Sequence, residues 1–388
     1  MKKISLSFSL LAVAGLFAAA CNNDDDSASG NVTKEEVVAN YADVVYQNYK
    51  DAYDDAAELE TAINDFTAAP TDAKFTTVKN KWKDARETYG TTEAFRFANG
   101  PIDDTNGPEA LLNAWPLDEN YIDYVAGANG GIINNTGAFP TITKDLLVGL
   151  NEGGGEKNIS VGYHAIEFLL WGQDLTAPSV NLPGQRTYED YLDGGNTADN
   201  EARRRQYLKI CADLLTDQLD YLVQVWKPGG TYRATFLALP VNEALQNIYL
   251  GIITLAGEEL ATERMDVALS NQDQEDEHSC FSDNTHRDIA LNLKGVLNVY
   301  EGNYGSIEGP SLKDLVKQAN TTIYSETDSA ASLAEDKVEA IMIPFDYAIS
   351  GGATSVEGAK VKAAVLQLKT FAANLLAGAT ALGITVNG

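Results

Sequence analysis

Residues 33–70 read TKEEVVANYADVVYQNYKDAYDDAAELETAINDFTAAP. Thr33 and Glu36 form a capping box. After it Val38, Tyr41, Val45, Tyr49, Ala52, Ala56, Leu59, Ile63 and Phe66 recur at steps of three and four until Pro70 ends the pattern. Such spacing puts every apolar side chain on one face of a long helix, which must be covered by other helices. A second helix starts at Thr71-Asp72 with Phe75, Val78, Trp82, Ala85 and Tyr89 on its stripe. The same spacing continues to Glu93 and Arg96, so two charged residues take core-facing positions at its end, where they form a structural ion pair or part of a site.

The same period governs the rest of the chain. Residues 99–160 are irregular and rich in Gly, Pro and Asn, with short apolar runs, and a connection that long is a set of short helices or a functional insertion. A helix from about Glu201 to Trp226 turns Leu208, Cys211, Leu215, Leu219 and Leu222 inward, and Lys227-Pro228-Gly229-Gly230 breaks it. Pro240 opens a further helix with Val241, Leu245, Ile248, Ile252, Leu255 and Glu259 on one face. Thr285 and Asp288 read as the cap of the next helix, Pro344 as a kink, and residues 357–382 as a last amphipathic helix. Strand alternation is weak throughout. The expected fold is therefore all-α: two four-helix-bundle-like domains, 33–228 and 229–388, with a long irregular insertion in the first. Two domains also follow from length, because roughly 358 residues exceed what one core usually serves.

The N-terminus reads as an export address. Lys2 and Lys3, an apolar run from Ile4 to Phe17 and Ala18-Ala19-Ala20 make a signal peptide over residues 1–20. Cys21 directly behind the small residues is similar to a bacterial lipobox, which implies lipidation of Cys21 and anchoring in the cell envelope, at the outer membrane and facing the surface. Residues 21–32 are polar and acidic, as in a disordered tether, and Asp24-Asp25-Asp26 resembles an export signal of surface lipoproteins. A net charge of −28 excludes binding of nucleic acid or an anionic membrane by charge. Cys211 and Cys280 remain; an exported compartment permits a disulfide between them, and Cys211, on an inward helix stripe, reads otherwise as a buried small hydrophobe.

One segment carries chemistry. Gly162-Tyr163-His164-Ala165-Ile166-Glu167-Phe168-Leu169-Leu170-Trp171-Gly172 places two ionisable residues, three apart on one helical face, inside an apolar run that belongs in a core. A core histidine satisfied by a neighbouring carboxylate is one reading, and a metal site is the other. The G-x-H-x-x-E run followed by F-L-L-W-G resembles the imelysin family, whose members include insulin-cleaving membrane proteases and iron-regulated proteins. Two further stretches agree: Thr92-Glu93-Ala94-Phe95-Arg96-Phe97 running on to Trp115-Pro116, and Glu277-His278-Ser279-Cys280-Phe281-Ser282-Asp283. The resemblance spans about Glu35 to the C-terminus and implies the same all-α architecture.

No G-x-S-x-G, phosphate loop or paired C-x-x-C occurs, and H-E-x-x-H is absent, as is its inverted form, which would need His where Phe168 stands. The expected ligands of a divalent or trivalent metal ion, iron or zinc, are His164, Glu167 and Glu93. Gly162, Arg96, Trp115, Glu277, His278 and Asp283 are expected to line the site near the groove between the bundles. Exposed loop positions stay open for His278 and His286, and a helix cap for Asp283. The expected function is metal binding in iron acquisition, with a protein partner in an uptake system. A metallopeptidase of the imelysin type and a surface module binding protein or glycan are the alternatives.

Overall fold

The computed structural model describes residues 31–386 except 106, 196 and 197, so the signal peptide, the lipidation at Cys21 and most of the acidic tether lie outside the described residues. Thr33 builds the expected cap: its hydroxyl accepts from Glu36 N–H at 3.2 Å while the Glu36 carboxylate accepts from Thr33 N–H at 2.8 Å. Helix α1 (Lys34–Ala68) follows, then α2 (Asp72–Thr92), capped by Thr71. The inward stripe of α1 is fully covered. Tyr41 meets Phe95 and Trp226 edge-on, and Phe66 meets Phe75 and Tyr191. At about 25 cal/mol per Å2 of apolar surface, burial of such rings is what holds this helix in place.

The irregular stretch resolves into short helices at Glu109–Leu112, Glu119–Ile122, Gly131–Asn134 and Lys144–Leu150. Helix α3 (Tyr163–Trp171) is buried at every position, and α4 (Glu201–Trp226) packs on α1. Helix α5 (Val241–Asn271) is followed by α6 (Thr285–Glu301), α7 (Thr321–Glu339) and α8 (Val356–Ala381). Helix α6 lies against α2, α8 lies against α5 and α7, and the first turns of α5 pack on α1. A two-residue hairpin, Asn303–Tyr304 with Ile307–Glu308, is the strand structure among the described residues.

Several local expectations change. The all-α fold stands, yet the chain does not part at Lys227–Gly230: residues 32–388 group as one compact unit with a continuous apolar core, because α1 and α2 each contact helices of the second half. Thr285 and Asp288 do not cap α6. Asn284 occupies the cap position without a side-chain bond, Thr285 Oγ1 accepts from Ser279 N–H, and Asp288 turns inward. Pro344 precedes the short helix Phe345–Ile349 instead of kinking a longer one. Cys211 and Cys280 are both buried free thiols. Finally, Leu255–Asp266 of α5 is wound as a π-helix, a register change that apolar spacing does not reveal.

Candidate functional site

Helix α3 is aimed by its ends. Gly162 starts it at φ +90°, and a Cβ there would stand 2.7 Å from the Leu112 carbonyl oxygen, so only glycine lets the 109–112 turn approach this closely. That turn delivers Asn113 and Trp115. On the other side, Trp82 Nε1–H of α2 donates to the Tyr163 carbonyl at 3.0 Å and fixes the first residue of α3.

His164 and Glu167 are both fully buried. His164 Nδ1 lies 2.9 Å from Glu167 Oε2, and the other carboxylate oxygen, Oε1, accepts from Ser282 N–H at 3.0 Å and Ser282 O–H at 2.7 Å. Burial pushes the Glu167 carboxyl up to about 8, against the Ser282 bonds. Burial, the His278 ring and the Arg86 guanidinium hold His164 well below the usual histidine range, so the imidazole is neutral. Its Nε2 is buried with no hydrogen-bond partner.

The 277–284 loop brings His278 to within 4.6 Å of His164, centroid to centroid, with the rings edge to face. Trp115 covers both imidazoles, 5.0 Å from His164 and 6.5 Å from His278. His278 Nδ1 faces Asp288 Oδ2 at 3.2 Å, and Ser279 O–H donates to the same oxygen. Asp288 Oδ1 in turn accepts from Arg86 Nε and Nη2. Burial would raise Asp288, but Arg86 and the two loop residues hold it far below the carboxylate range, whereas burial and Arg264 bring His278 down to about 4.

Arg86 Nη1–H also donates to Asn113 Oδ1 at 2.6 Å, which orients the Asn113 amide. Its Nδ2 therefore points at Glu93 Oε1, 3.2 Å away, and at His278 Nε2, 3.4 Å away. A donor at Nε2 and a carboxylate at Nδ1 fix one tautomer: His278 carries its proton on Nδ1 and a lone pair on Nε2. Each histidine thus has a carboxyl group at Nδ1, ionised at His278 and raised to about 8 at His164, the kind of partner that orients imidazole for metal ligation through Nε2.

Glu93 does not share a ligand position with His164 and Glu167. Among the described residues no group of three ligand-type side chains forms there, because Arg264 Nη2 takes Glu93 Oε2 at 2.6 Å and Asn113 takes Oε1. Against the upward push of burial, Arg264 and Arg96 keep the Glu93 carboxyl at about 2. Glu167 likewise has both oxygens engaged and orients His164. Arg96 stands 3.2 Å from Glu109 and 3.4 Å from Glu259. The π-wound turn places Glu259 and Arg264, five apart, side by side, with Arg264 Nε–H donating to Glu259 Oε1 at 3.2 Å. Glu277 is buried on the far side of the loop, and Asp283 faces Asp174 and Asp346.

A cleft of about 440 Å3 leads to this cluster, bordered by Trp115, His278, Asn113 and Arg96 and by acidic side chains including Glu109, Glu152, Glu259 and Glu263. Sequence reasoning found His164, Glu167, His278, Arg96 and Trp115 but not Arg86, Asn113, Arg264 or Asp288. Arg86 and Arg264 are arginines on buried helix faces, and a charge in such a position was the one available signal.

The imelysin family model matches residues 45–375. The chain belongs to the imelysin family. A relative in Synechococcus elongatus, "Iron-regulated protein A", is 25% identical over 382 residues, covering 95% of this imelysin and 90% of the relative. A crystal structure described as a putative iron-regulated protein A precursor from Parabacteroides distasonis superposes with a TM-score of 0.68 at 19% identity, covering 90% of this chain and 96% of that one. That likeness establishes the shared imelysin fold.

Proposed function

We propose that this imelysin is an exported, lipid-anchored envelope protein that captures a transition-metal ion, iron in the first place, through Nε2 of His164 and Nε2 of His278, and passes it on in iron acquisition. The observation that carries the reading is the buried, unpartnered Nε2 of a neutral imidazole whose Nδ1 is already backed by Glu167. An orphaned buried polar atom costs about 1–3 kcal/mol, and a bound ion removes that cost. The donor set fits the cargo, since neutral imidazole suits iron and zinc alike. The carboxylates along the cleft favour cation entry. The name of the Synechococcus relative points to the same cargo, and Cys21 behind its signal peptide supplies the anchor.

Peptide hydrolysis asks for a general base as well as a metal with an open position. Glu167 and Glu93 are both committed to other partners. Of the carboxylates that line the cleft, Glu109 is the one raised toward neutrality, by burial to about 7, and it is paired with Arg96. Ferrous, ferric and zinc salts are to be titrated calorimetrically into the mature protein, His164→Ala and His278→Ala, with unfolded protein substrates incubated in parallel. Binding lost in both variants without cleavage in the parent supports capture. Chelator-sensitive cleavage lost in Glu109→Gln sinks it in favour of a peptidase.

A further inference from the structure

A second group of ligand-type side chains lies on the other side of the 277–284 loop. Oxygens of Asp174, Asp283 and Asp346 all fall within 4.8 Å of one another. They come from three separate segments: the turn after α3, the loop that carries His278, and the short helix Phe345–Ile349. Asp174 and Asp346 are buried, and Asp283 is half-buried. None of the three is ion-paired among the described residues. The lysine that acts on Asp283, Lys83, is the weakest of its influences, while burial, Asp346 and Asp174 push the carboxyl up to about 7.

Glu277 supplies an independent observation. It is 1% exposed, its Oε1 has no hydrogen-bond partner, and the charges that act on it are those of Asp346, Asp283 and Asp174, in that order. A buried carboxyl with one orphaned oxygen beside three others is expensive unless a cation joins them.

We propose that Asp174, Asp283 and Asp346, with the orphaned Glu277 carboxyl beside them, form a site for a hard divalent cation of the calcium type, separate from the histidine pair. An all-oxygen, all-carboxylate donor set suits calcium or magnesium and not the softer transition metals. Calcium–oxygen distances of about 2.3–2.6 Å set the ligand oxygens at most roughly 5 Å apart, so oxygens within 4.8 Å of one another fit calcium, and an all-carboxylate cage suits it better than magnesium, which keeps several waters. The ion would staple the turn after α3 and the helix Phe345–Ile349 to the loop that presents His278 and Ser282. It would act on the histidine site only through that loop, and the site stands whether or not His164 binds a metal.

The test uses the mature full-length protein, stripped with a chelator and titrated with calcium chloride and, separately, magnesium chloride by calorimetry and thermal denaturation. The expected result is one calcium site per chain, weaker magnesium binding and a rise in melting temperature with calcium. Asp283→Asn and Asp346→Asn should each weaken calcium at least about tenfold. Asparagine tolerates the φ of +54° at position 283, and both variants lose a repelling charge, so the ion-free proteins should melt no lower than the parent. His164→Ala should leave calcium binding unchanged. Absence of calcium binding at millimolar concentration, unchanged affinity in Asp346→Asn, or magnesium bound more tightly than calcium would each overturn the proposal.

Discussion

At the scale of single residues, the deciding feature is which oxygen and which nitrogen hold the proton between His164 and Glu167. Glu167 Oε1 is taken by Ser282, so Oε2 alone faces Nδ1. Glu167→Gln keeps the shape and the Ser282 bonds but holds an N–H toward Nδ1 that, unlike the carboxyl proton, cannot be given up, so the imidazole proton stays on Nε2 and occupies the lone pair a metal needs. Metal affinity should fall about 10–100-fold with folding intact, as for other orienting partners of metal-bound histidine. Titration calorimetry and imidazole nitrogen NMR would show it, and unchanged affinity would dismiss the orienting role. His164 and Glu167 were legible in the sequence because two ionisable residues in an apolar run must serve something. Asp288 was not, since an Asp three after a Thr at a helix start carries the same letters as a cap, and only the fold shows it turned toward Arg86.

At the scale of elements, periodicity made α1, α2, α4 and α8 readable, because each buries a single stripe. The π-wound segment of α5 was unreadable, for its hydrogen-bond register leaves no mark in apolar spacing, and it is this register that sets Glu259 beside Arg264. Helix α3 depends on Gly162. Gly162→Ala adds a methyl 2.7 Å from the Leu112 carbonyl at a φ that L-residues avoid, a strain of about 1–3 kcal/mol before any clash. The variant should melt lower, by about 2 °C or less per kcal/mol in a chain of this length. It should also bind metal more weakly, because the same turn positions Asn113 and Trp115. Parent-like melting in a differential scanning experiment would show that the turn yields without cost.

At the scale of the molecule, the two bundles anticipated from length share one core, and helix-to-helix contacts across the halves were not encoded in any local pattern. The irregular 99–160 stretch is tied to the rest by a buried charge cluster instead: Asp123 accepts from Arg204 through both oxygens, at 2.7 and 2.9 Å, and from Arg186 at 2.8 Å. Asp123→Ala should cost about 3–5 kcal/mol, because two buried guanidiniums lose their carboxylate. Although burial pushes upward, Arg186 and Arg204 bring Asp123 down to about 2. A depressed acid binds fewer protons folded than unfolded, so its contribution of about 2 kcal/mol is complete above the unfolded pKa near 4 and is lost as pH falls through 2. In denaturant unfolding the gap between parent and variant should narrow by about 2 kcal/mol between pH 6 and pH 2. A constant difference across that range would refute the assignment.

Trp115 lies over both imidazoles, and His164 has no exposed surface. Anything that reaches Nε2 must wait for that indole or the His278 ring to swing aside, and must wait again to leave. For an ion bound as proposed, arrival and departure would be governed by the frequency of a side-chain or loop motion and not by diffusion, so that its dwell time would be long even where its equilibrium affinity is modest. Were the protein to act as the proposed carrier, its slow release would call for a recipient that opens it, and the indole at the head of the cleft is the place where such a recipient would push.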